Sequence, residues 1–213
     1  MSQIEQLAAP GRTALLTMEL QRGVVGDLAS MRALADVVES QGVPKRMREL
    51  LEGARLAGIP VVHCRAAFRP DRAGSYFNIP MVNRLLENPD HLEIGTPAAE
   101  VIPELGPEQG DLDSVRLHGM SPFHGTDLDP KLRSLHVETV VVTGVSLNVG
   151  ILGVVIEALN HGYHVVLVRD CVAGYPPAYA EMVLENSLSR ITTPTTAAAL
   201  LELWSSQTSA ASS

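Results

Sequence analysis

The chain has 213 residues, of which 46% are hydrophobic and 19% are charged, and its formal net charge is −8. This length and composition predict a single globular domain with a full hydrophobic core, and they exclude an intrinsically disordered chain. The acidic balance argues against nucleic acid and anionic membrane surfaces as partners. The two cysteines, Cys64 and Cys171, are too few for a disulfide framework or a multi-cysteine zinc site.

Sequence patterns give no indication of a membrane span or a secretory leader. The chain has no run of about 20 apolar residues, and its first residues lack the apolar core and basic start of a signal peptide. We therefore expect a cytoplasmic protein with reduced thiols. The last nine residues are small and polar, so we expect flexible termini around a core that spans about residues 13–204.

Short apolar runs alternate along the chain with longer segments of helical periodicity. In chain order, the predicted strands are Thr13–Leu20, Ile59–Cys64, Leu112–His118, Thr139–Thr143 and His164–Val168. The predicted helices are Pro44–Ala57, Val149–His161, Ala178–Leu188 and Thr195–Trp204. Strands that are apolar on both faces and alternate with helices indicate a parallel sheet with helices on both sides. The long segment between the second and third strands, rich in proline and glycine, is a candidate lid or dimer contact.

The residues that follow each strand are candidate site residues, because ligands in such folds bind at the carboxyl ends of parallel strands. Glu19 lies at the end of a strand that is otherwise apolar. A carboxyl group that is partly desolvated there could act as a general acid or base. A solvated carboxylate paired with Arg22 or Arg65 is the alternative.

The loop Gly144–Gly150 joins a buried strand to a buried helix. Ser146 or Asn148 can cap that helix, and backbone N–H groups near Val149 and Gly150 could bind an anionic group or a developing oxyanion. An ordinary capped turn is the alternative, since the loop has neither a dinucleotide-binding glycine pattern nor a P-loop lysine.

Arginines cluster after the second predicted strand. Arg65 and Arg69 could bind a carboxylate substrate, because guanidinium groups match carboxylates with two hydrogen bonds, although a solvated loop is the alternative. His63 is expected to be a core histidine with satisfied hydrogen bonds. No spacing of histidines or cysteines along the chain is typical of a metal site, so no metal and no cofactor are expected.

Both cysteines lie among apolar residues, and we expect them to be buried and inert. Cys171 is the better nucleophile candidate of the two because it follows a strand. The adjacent carboxylate of Asp170 would raise the pKa of its thiol, however, and this opposes activation.

Three segments together resemble the isochorismatase-like hydrolases: TALLTMELQRG, IPVVHCRAAF, and the stretch from HGMSPFHGTDL to VRDCVAG. The S-x-F-x-G-T-x-L pattern, followed by VVVTGV and a helix, is the most specific part, and the resemblance covers about Thr13 to Trp204. It implies a three-layer α/β/α sandwich around a six-stranded, mostly parallel, Rossmann-like sheet. It also implies a homodimer or a higher homo-oligomer, and a non-proline cis peptide in the turn Gly144–Ser146.

The resemblance places the Asp, Lys and Cys of the family's amide hydrolases at Glu19, Leu117 and Gly150. Glu19 keeps a carboxyl group, Leu117 has neither charge nor exchangeable proton, and Gly150 has no nucleophile, so a thioester mechanism at that position is impossible. The isochorismatases proper also carry glycine there and protonate a vinyl ether with the carboxyl group, but they keep the lysine. Arg116 and His118 flank the lysine position, although a regular strand would direct both to the opposite sheet face.

Two functions remain open. The first is a small-molecule hydrolase without a cysteine nucleophile, of the vinyl-ether type or a related one, in which Glu19 is the acid–base group. His118, Gln21 and an arginine of the 65–72 region would then position the substrate. The second is a catalytically inactive relative that serves as a small-molecule binding or assembly subunit. A weaker third possibility is a hydrolase whose nucleophile is Cys171 or Ser146.

The pocket at the strand ends distinguishes the first two functions. A polar pocket into which Glu19 points, with an arginine opposite, favours the hydrolase. A closed, apolar pocket around Leu117 favours the inactive relative.

Overall fold

The computed structural model describes residues 3–211, and the side chains of residues 3–207. Its six strands form one sheet in which every pairing is parallel, with the order β3-β2-β1-β4-β5-β6. The strands are β1 (Thr13–Met18), β2 (Val61–Ala66), β3 (Leu112–Arg116), β4 (Thr139–Gly144), β5 (His164–Val172) and β6 (Thr193–Thr195).

The helices of the described chain cover both faces of this sheet. They are α1 (Gln3–Leu7), α2 (Arg32–Ser40), α3 (Val43–Leu56), α4 (Pro80–Leu85), α5 (Leu128–Ser134), α6 (Leu152–Asn160), α7 (Pro177–Val183), α8 (Ser189–Ile191) and α9 (Ala197–Ala211). Single π-helical turns, Leu147–Ile151 and Leu184–Leu188, precede α6 and follow α7. Between residues 3 and 211, no helix is long and apolar enough to cross a membrane.

The sheet separates two apolar cores. Successive residues of a strand point to opposite faces, so β1 contributes Leu15 to one core and Leu16 to the other. Both cores are closed by helices, α2, α3 and α9 on one side and α5, α6 and α7 on the other. This burial on both faces is why the inner strands are apolar at nearly every position, and it confirms the predicted three-layer α/β/α sandwich.

The predicted elements agree with the structure in type and differ at their ends. The sequence did not predict α2, α5 or the short strand β6, which contains Pro194 and pairs with β5 at Val166–Val168. The polar C-terminal segment, predicted to be flexible, is helical as far as Ala211, and residues 1–2 and 212–213 lie outside the described residues.

The strand order places a crevice between the carboxyl ends of β1 and β4. The chain runs outward from β1 through β2 to β3, and then from β4 through β5 to β6, so the order reverses between these two central strands. Gly144 closes β4 beside Met18 with φ +104°, and a Cβ there would lie 2.2 Å from the Met18 carbonyl oxygen. Only glycine allows this approach, which brings the loop after β4 against the end of β1.

Candidate active site

A cavity of about 160 Å³ lies at the carboxyl ends of β1, β3 and β4. Most of its wall is apolar and comes from the segment before α2 and from the long β2–β3 connection. The apolar lining includes Val24, Met31, Leu34, Phe68, Met81, Val82, Leu85, Leu92 and Met120. The polar side chains of the lining are Glu19, Ser30, His91, Arg116, His118, Ser146, Asn148 and Tyr175. The segment between β2 and β3, which the sequence offered as a lid or a dimer contact, therefore forms part of the cavity wall.

Glu19 reaches the cavity through an unusual backbone conformation. Its φ is +51°, in the left-handed region that costs a non-glycine residue about 1 kcal/mol. Its backbone N–H still donates to the Cys64 carbonyl oxygen at 2.9 Å, so the turn begins immediately after the last paired residue of β1. The left-handed turn directs the carboxyl group into the cavity, where its side chain remains 17% exposed.

The guanidinium group of Arg116 forms an ion pair with Glu19. Nη2 of Arg116 donates to Oε1 of Glu19, and Nε donates to the carbonyl oxygen of Gly119 at 2.9 Å. The third nitrogen, Nη1, is buried without a hydrogen-bond partner among the described residues. Burial lowers the pKa of Arg116 to about 10, so the group is still a cation at neutral pH. One charged donor nitrogen of Arg116 is therefore without a partner among the described residues, and it is itself buried rather than open to the cavity.

Arg116, and not Leu117, faces the cavity. Leu112, Ser114 and Arg116 alternate toward the α5 side of the sheet, where Ser114 Oγ donates to Asp127 Oδ1 at 3.4 Å. The Leu117 side chain packs over Gly74 and is absent from the cavity wall. The expectation that Arg116 points away from the site was therefore wrong.

The wall meets the two expectations in part. Glu19 points into the cavity with an arginine beside it, as expected for the hydrolase, whereas the mostly apolar wall is the kind expected for an inactive relative, although Leu117 is not part of it.

The loop after β4 supplies another part of the wall. Ser146, Asn148, Val149 and Gly150 all line the cavity, and the Val145–Ser146 peptide bond is cis, as the resemblance implied. Neither Ser146 nor Asn148 caps the helix: Ser146 Oγ donates to Asn148 Oδ1 at 2.6 Å instead. The N–H of Val149 donates to the Ser146 carbonyl oxygen at 3.1 Å, so it is not the free donor that the sequence suggested.

Gly150 lines the cavity at the position where the resembling hydrolases carry their nucleophile. A Cβ at this position would lie 3.0 Å from the Val145 carbonyl oxygen and 3.3 Å from Met18 Cε. Both contacts are tighter than ordinary packing allows, so even alanine would require its neighbours to shift. The local packing of this chain is thus adapted to glycine.

Three predicted substrate-binding residues lie elsewhere. Gln21 is fully buried, and its amide bonds to the backbone of Ala66 and Ala99 at 2.8–2.9 Å, so it holds two loops together. Arg65 pairs with Asp113 and donates to the Ala99 carbonyl oxygen at 2.7 Å. None of these side chains lines the cavity.

Arg69 is the third of these residues. It is exposed and pairs with Asp71 at 2.7 Å, two residues along the same loop. The two arginines that were expected to bind a carboxylate substrate therefore lie outside the cavity. Among the described residues, Arg116 is the only arginine or lysine in the cavity lining.

His118 also lies in the cavity wall, although a regular strand would direct it away, and its role in positioning a substrate stays a prediction. The N–H of Tyr76 donates to its Nδ1 at 3.2 Å, and the two rings meet edge to face at 4.7 Å. Because Nδ1 accepts this bond, a neutral His118 carries its proton on Nε2 and can donate from there.

Ser30 and His91 are cavity residues that the sequence analysis missed. Ser30 Oγ lies 2.9 Å from His91 Nδ1, and the imidazole stacks on Phe68 with ring centroids 6.1 Å apart. Burial, and secondarily the charge of Arg72, lower the pKa of His91 to about 4. No sequence pattern distinguished either residue, because both lie in irregular segments.

Both cysteines and His63 are structural, as predicted. Burial raises the pKa of the Cys64 thiol, and burial followed by the charge of Asp170 raises that of Cys171 to about 12. Neither thiol lines the cavity. His63 is buried and bonded through both ring nitrogens, at 2.8 and 3.1 Å. Among residues 3–207, no three His, Cys, Asp or Glu side chains are grouped so that they could hold a metal ion.

Comparison with known proteins adds an independent line of evidence. The isochorismatase domain profile matches residues 13–199. The isochorismatase family protein YwoC of Bacillus subtilis is 32% identical over 93 residues, which are 44% of this chain and 49% of YwoC. The chain thus matches about half the length of that relative.

Two further proteins match over most of their length. The ureidoacrylate amidohydrolase RutB of Methylorubrum extorquens is 30% identical over 197 residues, 82% of this chain and 75% of RutB. The crystal structure of a cysteine hydrolase from Pseudomonas syringae pv. phaseolicola superimposes with a TM-score of 0.77 at 26% identity, covering 92% of this chain and 94% of that one.

Proposed function

The chain belongs to the isochorismatase family, whose characterised relatives are hydrolases, and we propose that it hydrolyses a small neutral molecule without a cysteine nucleophile. Glu19 is the acid–base residue, and the bond cleaved is a carboxamide or ester bond. The observation that carries the proposal is the ion pair between Glu19 and Arg116, in which the buried Nη1 of Arg116 has no protein partner.

Glu19 acts first as a base. Its carboxylate removes a proton from water, and the resulting hydroxide attacks the carbonyl carbon of the substrate. The guanidinium group of Arg116 lies in the cavity wall and stabilises the carbonyl oxygen as that oxygen becomes negative, once a small rotation brings its buried Nη1 into the cavity. When the tetrahedral intermediate collapses, the leaving amine or alcohol takes the proton back from Glu19. The products are a carboxylic acid and the amine or alcohol, and the enzyme returns to its starting state.

The charges of the cavity favour a neutral substrate. Glu19 and Arg116 already balance each other, and among the described residues no second arginine or lysine lines the cavity, although the charge of Arg72 acts on His91. A substrate carboxylate would have to share one guanidinium with Glu19, and two carboxylates in one site repel each other.

The test is hydrolysis by wild-type protein and Glu19→Gln, with p-nitrophenyl acetate and benzamide as neutral probes and isochorismate as the vinyl-ether contrast. We expect activity on at least one neutral probe, and a loss of about 10²–10⁴-fold in kcat for Glu19→Gln. Glu185→Gln, on an exposed helical turn, is the matched control and keeps full activity. The Cys64→Ala/Cys171→Ala double variant and Ser146→Ala are expected to retain hydrolysis, which would remove thiol and Ser146 nucleophiles from consideration.

An inactive relative is the second candidate, and the absence of a side chain at Gly150 is the observation in its favour. For that function, the cavity would bind a small molecule without converting it. Tight binding of a neutral probe together with hydrolysis no faster than the uncatalysed rate would contradict the hydrolase and support this candidate.

A further inference from the structure

The cavity contains a second polar pair that the proposed reaction does not use. Ser30 precedes α2 and His91 lies in the β2–β3 connection, and both side chains line the cavity. Among the described residues, the two side chains bond to each other, Ser30 Oγ to His91 Nδ1 at 2.9 Å, and neither is bonded to Glu19 or Arg116. The cavity therefore has, apart from Glu19 and Arg116, a separate hydrogen-bonded pair in a mostly apolar wall.

The imidazole of His91 is held in a fixed orientation. Ser30 contacts one ring nitrogen, the ring stacks on Phe68 with an interplanar angle of 28°, and His91 is only 6% exposed. The other ring nitrogen, Nε2, has no hydrogen-bond partner among the described residues. A ring that is immobilised in this way, with one free polar atom, is preorganised for a ligand rather than for folding alone.

We propose that Ser30 and His91 are specificity-determining residues that bind a neutral hydrogen-bonding group, such as a hydroxyl, on the part of the substrate that does not react. This inference rests on the proposed function, because Arg116 holds the reacting carbonyl group. The substrate class is then a small, ring-sized neutral molecule with a carbonyl group for Arg116 and a second polar group for His91.

Size and charge agree with this substrate class. A cavity of about 150 Å³ accepts a benzene molecule, and this one has about 160 Å³. Because burial keeps His91 uncharged at neutral pH, it attracts no carboxylate and instead offers a neutral donor or acceptor. The two tautomers differ in which atom donates: either Nε2–H donates to the ligand, or Nε2 accepts from it while Nδ1–H donates to Ser30.

Binding of non-hydrolysable ketones tests the proposal. Acetophenone supplies a ring and a carbonyl group, and 3′- and 4′-hydroxyacetophenone add a hydroxyl group. We expect at least one hydroxylated probe to bind wild-type protein about tenfold more tightly than acetophenone, as measured by calorimetry. His91→Phe keeps a ring to stack on Phe68 and should abolish this advantage while leaving the Kd of acetophenone unchanged. Ser30→Ala should reduce the advantage.

His164→Phe, an exposed histidine at the start of β5, is the matched control and should keep the full advantage. Equal affinities of all three ketones for wild-type protein, no binding of any of them, or an advantage that persists in His91→Phe would each overturn the proposal. Ketone binding does not depend on turnover, so a failure here is distinguishable from a failure of the hydrolase proposal, which Glu19→Gln tests through kcat.

Discussion

Two buried charge networks begin two residues apart in the chain, one at Thr17 in β1 and the other at Glu19 just after it. In the first, Thr17 Oγ1 bonds to His63 Nδ1 at 2.8 Å, and His63 Nε2 bonds to Asp111 Oδ2 at 3.1 Å. Asp111 also accepts two hydrogen bonds from Arg55, at 2.6 and 3.0 Å. The order Thr–His–Asp looks like a nucleophile with its base, but Thr17 is only 2% exposed and no substrate reaches it.

The second network consists of Glu19 and Arg116, with the carbonyl oxygen of Gly119. It is also buried and charged, yet Nη1 of Arg116 has no protein partner. The first network bonds its polar atoms within the protein, whereas the second leaves one buried donor nitrogen without a protein partner among the described residues. Buried charge alone therefore does not identify a site in this protein; a charged pair whose side chains line a cavity is the better indication.

The largest expected effect on stability comes from breaking the first network, which contains Asp111. Asp111→Asn removes the charge that faces Arg55 and His63, and loss of one partner of a buried ion pair costs about 3–5 kcal/mol. We expect a decrease of that size in the free energy of unfolding, measured by urea denaturation, while kcat of the folded protein is unchanged.

Asp113→Asn is the control for this variant. It breaks the neighbouring pair with Arg65, in which the Asp113 side chain is 43% exposed, and should cost less than about 1 kcal/mol. Equal losses in the two variants would contradict the distinction between a buried structural network and a solvated ion pair.

Arg116→Met should lower kcat strongly and the folding stability only moderately, in contrast to Asp111→Asn. It removes the donor proposed to stabilise the carbonyl oxygen, so we expect kcat on the active neutral ester or amide to fall by about 10²–10³-fold. The loss in unfolding free energy should be smaller than for Asp111→Asn, because Glu19 retains access to solvent. Arg169→Met, at an exposed position, is the control, and an unchanged kcat in Arg116→Met would exclude Arg116 from the reaction.

Gly150→Ala measures how tightly the loop after β4 is packed against β1. The added Cβ would meet the Val145 carbonyl oxygen at 3.0 Å, and overpacking of this kind costs about 1–3 kcal/mol. Thermal denaturation should show a lower Tm than for Gly110→Ala, where an added Cβ has no neighbour within 4 Å. Equal Tm values for the two variants would mean that the neighbours of Gly150 move aside without a cost in stability.

The smallest expected effect is a pH dependence of the folding stability that arises from His91. The pKa of His91 is lowered by burial from 6.5 to about 4, so between these values the unfolded chain binds a proton that the folded chain does not. Stability therefore falls as the pH decreases from about 6.5 toward 4. The pKa of His63 is also lowered, mainly by burial, and Asp111 partly offsets this shift.

We expect the difference in Tm between pH 7.5 and pH 5.0 to be smaller in His91→Phe than in wild-type protein. His164→Phe should retain the wild-type difference. A difference that is the same in all three proteins would show that His91 titrates normally in the folded state.

The sequence predicted the fold well because the strands of a doubly covered sheet are apolar at nearly every position. The run TVVVT could form a buried strand without further information, and β4 spans Thr139–Gly144. The short strand β6 escaped prediction, since three residues that include Pro194 carry no periodicity. The amphipathic helix α2 was also missed, although Leu34, Ala35 and Val38 share its buried face.

The site was predicted in part. Glu19, His118 and the loop after β4 follow predicted strands, and they line the cavity because parallel strands end at one edge of the sheet. Arg65 and Arg69 also follow a strand, but each pairs with a nearby aspartate outside the cavity. Position along the chain thus indicates which edge a residue approaches, and the pairing of its charge decides where the side chain goes.

The sequence by itself determined the sandwich, the inert cysteines and the absence of a nucleophilic side chain at Gly150, because these depend on residue identity and local periodicity. Only the tertiary structure brought together Arg116 and Glu19, which are 97 residues apart, and Ser30 and His91, which are 61 residues apart. Side-chain directions in turns, and beyond strand ends, depend on backbone angles and packing between distant segments. Periodicity does not encode them, and in this protein they define the candidate site.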